Sequence, residues 1–151
     1  MRRQSGFTLI ELITVIVVLG ILAAFAIPRF TGLEAEARKA TVNGLAGNLR
    51  SGAALAHALW VAAGNAPSTV SMEGVSVAMN TTSGYPTAAS DGSGIDKVLQ
   101  DLQGFTAADN SGVRDFKFNS APSSGATCKA SYTASTAAGT APTIAVDVSG
   151  C

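Results

Sequence analysis

In 151 residues, 47% apolar by type and only 13% charged, ten basic side chains balance ten acidic ones. That balance leaves no basic stripe of the kind strong nucleic-acid binding depends on, and the length holds one ordinary domain plus an appendage. The apolar residues are unevenly placed: residues 7–27 carry one charge, whereas residues 64–151 are rich in Ser, Thr, Gly, Ala and Asp. A lipid-soluble stalk and a water-soluble head share the chain.

The first predicted element is a helix from Phe7. At about 1.5 Å per residue its apolar run to Ile27 is roughly 32 Å long, the thickness of a bilayer's hydrocarbon core. Arg2 and Arg3 precede it, so the positive-inside rule places Met1–Gly6 in the cytoplasm and the head on the other side. A cleavable secretory signal is a poorer account, because its apolar core would be about 7–15 residues long. A plain membrane anchor is the simplest alternative. It does not explain Glu11, which costs on the order of 2.5–3.5 kcal/mol in lipid and has no obvious partner in the apolar run.

The stretch Gly6-Phe7-Thr8-Leu9-Ile10-Glu11-Leu12 behind a short basic leader resembles the processing site of type IV pilins and their pseudopilin relatives. Pro28 stands where those proteins have a helix-kinking proline. The resemblance covers about the first thirty residues. It implies that a prepilin peptidase cuts between Gly6 and Phe7 and methylates the new Phe7 amine. Removing Arg2 and Arg3 from ten basic residues would leave eight against ten acidic ones. It further implies that Glu11 and Thr8 serve assembly, Glu11 pairing with the Phe7 amine of a neighbouring copy. The partners implied are other copies in a homo-oligomeric filament, the peptidase, the inner-membrane pilus assembly machinery and, before assembly, the membrane.

Past Pro28 the helix is expected to run to about Ala63 as an amphipathic element. Val42, Leu45, Leu49, Ala53, Ala56, Trp60 and Ala63 recur at steps of three and four and share one face. Gly44, Gly47 and Gly52 each cost up to about 1 kcal/mol in a helix; they permit close packing or mark a pliable stalk. Gly64-Asn65-Ala66-Pro67 ends the helix. Alternation predicts strands at 70–72, 75–79, 116–118, 128–132 and 144–148, the last three as an antiparallel meander. Ser93-Gly94-Ile95-Asp96 has capping-box spacing and predicts a short helix through Leu102, stopped at Gly104. Gly84-Tyr85-Pro86 followed by Gly94-Ile95 resembles the head of the mannose-sensitive haemagglutinin group of pilins; as bare residues it reads as a turn.

The fold class expected is therefore α+β: a long N-terminal helix packed on a small antiparallel sheet. Its parts are a leader at 1–6, an apolar helix at 7–28, an amphipathic helix at 29–63 and a head at 64–151. Cys128 and Cys151, two cysteines in the segment placed outside the cytoplasm, read as one disulfide.

Catalytic chemistry is not legible. His57 is a lone histidine on an apolar helix, and the cysteine pair lacks zinc spacing. Asp91, Asp96, Asp101 and Asp109 follow no calcium-loop pattern, and Asn80-Thr81-Thr82 is a short sequon of the kind that arises by chance. No catalytic, metal or cofactor residue is assigned and no cofactor is expected. The resemblance implies a structural, non-enzymatic subunit: the major pilin of a type IV pilus, held in the inner membrane and then displayed at the cell surface. The alternatives are a minor pilin or a type II secretion pseudopilin and, in another class, a membrane-anchored periplasmic sensor or enzyme. Major pilins commonly close a C-terminal disulfide loop, as Cys128 and Cys151 would here.

Overall fold

The computed structural model describes residues 6–122 and 127–151, with the side chains of residues 26–31 excepted. The chain divides into two compact units, Met1–Ala37 and Arg38–Cys151. One helix, α1 (Leu9–Ala62), belongs to both. Most of the leader, residues 1–5, and the side chain of Pro28, the position of the expected kink, lie outside the described residues. Among the described residues no helix is long and apolar enough to cross a membrane.

In the first unit the described part of α1 buries nothing: Leu9, Ile10, Leu12, Val15, Ile16, Leu19, Leu22 and Phe25 are all exposed. In the second unit the same helix is amphipathic. Val42, Leu45, Leu49, Ala53, Ala56 and Trp60 are buried, at the three- and four-residue steps that bring side chains onto one face. Ala63, expected on that face, lies one residue beyond the helix and is exposed. The helix ends because Gly64 and Asn65 take positive φ, their amides turning back to the carbonyls of Val61 and Trp60.

Two antiparallel sheets follow. Strands β1 (Thr69–Met72) and β2 (Val75–Ala78) form a hairpin whose two-residue turn, Glu73-Gly74, has positive φ at both positions. A four-stranded sheet has the order β3-β4-β5-β6: β3 Phe105–Asn110, β4 Val113–Phe118, β5 Lys129–Thr133 and β6 Thr143–Asp147. The expected meander is its β4-β5-β6 part. Strand β3 was not expected, and it is held by full pairing with β4 across the Ser111-Gly112 turn.

The main core joins helix and sheet. Val42, Leu45, Leu49 and Ala53 pack with Phe116, Ala130, Tyr132 and Cys128; a second cluster gathers Ala56 and Trp60 with Val70, Val77 and Met79. The glycines of α1 divide between the two roles open to them. A Cβ on Gly52 would lie 2.1 Å from the Val98 side chain, so Gly52 admits a close approach, whereas Gly44 and Gly47 face open space.

The short helix expected from Ser93 to Leu102 is a single 3-10 turn, Ile95–Val98. Its N-cap is Gly94 and no side chain caps it. The capping-box role fails because Asp96 is taken by another partner: the Arg114 Nε of β4 donates to Asp96 Oδ1 at 2.9 Å. A bidentate ion pair with a buried guanidinium outweighs a single bond from the carboxylate to a backbone amide.

Candidate functional site

The start of α1 shows why its sequence folds as it does. Thr8 stands just before the first helical residue, and its hydroxyl oxygen accepts the Glu11 amide at 3.4 Å. Glu11 answers: its Oε2 accepts the Thr8 amide at 2.9 Å and the Thr8 hydroxyl at 2.7 Å. Thr8 and Glu11 thus form a reciprocal capping box, which satisfies two amides that a helix N-terminus leaves open. Glu11 therefore has a partner in its own chain. The Thr8-x-x-Glu11 spacing was legible in the sequence, but it is masked by the apolar run around it. Gly6 and Phe7 lie before the helix and are exposed, Phe7 at 88%.

The second grouping ties the C-terminal segment down. Cys128 and Cys151 are joined in a disulfide spanning a sequence separation of 23. Both are buried. The Gly150 amide donates to the Thr127 carbonyl at 2.9 Å, and the Arg38 Nε donates to the Cys151 carbonyl. Arg38 is the first residue of the second compact unit, so the disulfide-held segment meets α1 where its packed portion begins.

The segment between the sheets is organised by Gly84-Tyr85-Pro86 and Gly94-Ile95. Gly84 has φ 74° and lies against α1, where an added Cβ would sit 2.4 Å from the Trp60 ring. Its carbonyl lies 2.8 Å from His57 Nδ1, and the Tyr85 ring stacks on His57 at a centroid distance of 4.2 Å. The Pro86 carbonyl accepts the Tyr132 hydroxyl at 2.7 Å. Burial pushes the Tyr132 hydroxyl well above its ordinary pKa, so it remains a donor. A Cβ on Gly94 would meet the Thr87 carbonyl at 2.0 Å, and Ile95 is fully buried. These residues are a packing motif, with His57 as one layer of it.

Asp91, Asp96, Asp101 and Asp115 are likewise occupied. Asp96 pairs with Arg114, whose Nη1 also reaches the Ser90 carbonyl. Asp91 and Asp101 accept the amides of Ser93 and Gln103. Asp115 holds Lys129 Nζ at 2.7 Å and the Ser131 hydroxyl at 2.6 Å. Among the described residues no group of three or more His, Cys, Asp and Glu is placed to hold a metal ion.

Comparison with known proteins points back to the N-terminus. Residues 1–27 match the family described as the prokaryotic N-terminal methylation motif. The chain is 52% identical over 54 residues to the type IV narrow pilus major component PilA5 of Thermus thermophilus, covering 36% of this chain and 47% of that one. It is 49% identical over 47 residues to the type IV major fimbrial protein FimA of Dichelobacter nodosus, covering 31% of this chain and 29% of that one. It is also 51% identical over 37 residues to type II secretion system core protein G of Vibrio cholerae, covering 24% of this chain and 25% of that one. Each match spans less than half the length of the relative. No solved structure matches the chain.

Proposed function

We propose, on the premise that this chain is a structural subunit of the type IV pilin class and not an enzyme, that it is the major subunit of a type IV pilus. The observation that carries this reading is a capped helix N-terminus bearing one carboxylate, followed by a helical stretch, Leu9 to Phe25, whose apolar side chains are exposed on every side. Such a surface needs lipid or further copies of itself to cover it.

In this reading the peptidase cuts between Gly6 and Phe7 and methylates the Phe7 amine. The subunit waits in the inner membrane as a single pass over Phe7–Ile27, its N-terminus cytoplasmic. It then enters the filament, where Glu11 accepts the Phe7 amine of a neighbouring copy. Opposite charges attract far more strongly in a low dielectric than in water, and the α-amine supplies the cation that the apolar segment otherwise lacks. The matches to a pilus major component and a major fimbrial protein support the major-pilin role, as does the disulfide-closed C-terminal segment. The match to a secretion-system core protein keeps the pseudopilin as the second reading.

Intact mass of the protein taken from native membranes and sheared filaments is the test. The expected species starts at a methylated Phe7; a species retaining Met1–Gly6 would sink the reading.

A further inference from the structure

Asn80-Thr81-Thr82 is the one place where an asparagine of this chain is followed two positions later by Ser or Thr. As bare sequence the triplet carries little weight. Its setting adds to it. Residues 80–85 form a loop closed at its base by an antiparallel bridge between Met79 and Pro86. Within it the Asn80 amide donates to the Tyr85 carbonyl at 2.8 Å, and the Gly84 amide donates to the Asn80 carbonyl at 2.7 Å. Thr81 and Thr82 are exposed at the turn and Asn80 is half-buried.

The Asn80 side chain is held in one orientation. The amides of Thr82 and Ser83 donate to its Oδ1 at 2.9 and 3.0 Å, an Asx turn that ties the asparagine to the residue two positions on. Both partners are N–H donors, so the atom facing them is the oxygen, and Nδ2 is the atom left out of the turn. A substituent on Nδ2 would break neither bond, because a substituted amide keeps its carbonyl oxygen as an acceptor.

Resting on the reading above only for the head's place outside the cytoplasm, we propose that Asn80 is an acceptor for N-linked glycosylation, taking an oligosaccharide from a lipid-diphosphate donor. Nδ2 bonds to the anomeric carbon of the first sugar, and the bond from that carbon to the diphosphate oxygen breaks. The diphosphate leaves with the electron pair, and one Nδ2 proton passes to a base of the transferase. Nothing is oxidised or reduced. Thr82 supplies the hydroxyl that the transferase requires two positions after the asparagine.

The competing arrangement is a sugar on the hydroxyl of Thr81 or Thr82, and the variants separate the two. Tryptic peptides of the protein from its native membranes or filaments are sequenced by electron-transfer mass spectrometry. The peptide spanning 51–97 should carry a glycan that the fragments place on Asn80. Asn80→Asp keeps the oxygen acceptor of the turn and lacks the nitrogen; it should lose the added mass, as should Thr82→Ala. Thr82→Ser and Thr81→Ala should keep it. A bare Asn80 in the wild-type chain overturns the proposal, and so does a glycan that survives in Asn80→Asp. The N-terminal peptide of the same digest decides the pilin reading separately. A methylated Phe7 with a bare Asn80 rejects the acceptor alone, whereas retained Met1–Gly6 with a glycan on Asn80 rejects the pilin reading and supports the acceptor.

Discussion

Asp115 is a carboxylate kept charged inside the sheet, its side chain only 3% exposed. Burial by itself would raise its pKa, but the Lys129 ammonium and the Ser131 hydroxyl, helped by Asn110, bring it below the usual aspartate value. A folded-state value below the unfolded one gives stability that is fully present above the unfolded pKa, about 3.9, and is lost as pH falls through the folded value. Lys129→Met should remove that contribution by leaving a buried carboxylate without its cation. The expected cost at pH 7 is about 1–3 kcal/mol, that of a buried group left unpartnered. The difference in stability between neutral and acid conditions should narrow accordingly, because little of the ion pair's contribution remains to be lost. Urea unfolding of both proteins at neutral pH and below the unfolded pKa measures it. An unchanged difference would show that the pair contributes nothing to the pH dependence.

At the scale of elements, β6 is an edge strand, as β3 is at the opposite side of the sheet. Its one strand neighbour is β5, and its sequence runs directly into the disulfide. Closing a loop of this length in the unfolded chain contributes roughly 3–4 kcal/mol in the loop-entropy model. Cys151→Ser should therefore lower stability by about that amount. Amide protection should be lost first over Thr143–Asp147, while the Val42–Trp60 part of α1 keeps its own. Hydrogen exchange read by mass spectrometry checks this, and unaltered protection of β6 would reject the clamp. The elements also show what the sequence could disclose. The packed face of α1 was legible because one side of a helix repeats at fixed steps, and β4 to β6 because their residues alternate. Strand β3 was not: Phe105-Thr106-Ala107-Ala108-Asp109-Asn110 puts small and polar residues on both faces, and its conformation comes from pairing with β4. The Ser-Gly turn at 111–112 was its one local signal. Asp96 misled as a capping residue because its true partner, Arg114, is 18 positions away.

On the scale of the whole molecule, apolar burial among the described residues is confined to one of the two units. Every residue of both hydrophobic clusters lies at or beyond Val42, whereas the described apolar side chains from Phe7 to Phe25 are exposed. A unit that holds its own core, its own disulfide and both sheets has what a domain needs to fold alone. A chain starting at Gly32 should accordingly be soluble and monomeric, and should unfold in one cooperative transition when the disulfide is intact. The first turns of its shortened helix, before Arg38, should fray, because nothing buried in the second unit precedes that residue. The complete chain should require detergent or lipid, since its exposed apolar helix would otherwise drive association. Light scattering after size-exclusion chromatography and a thermal melt followed by circular dichroism test both halves. A Gly32 chain that aggregates, or melts without cooperativity, would mean that the first helical segment takes part in folding the second unit. A full chain that stays monomeric in buffer would mean that its apolar surface is covered from within.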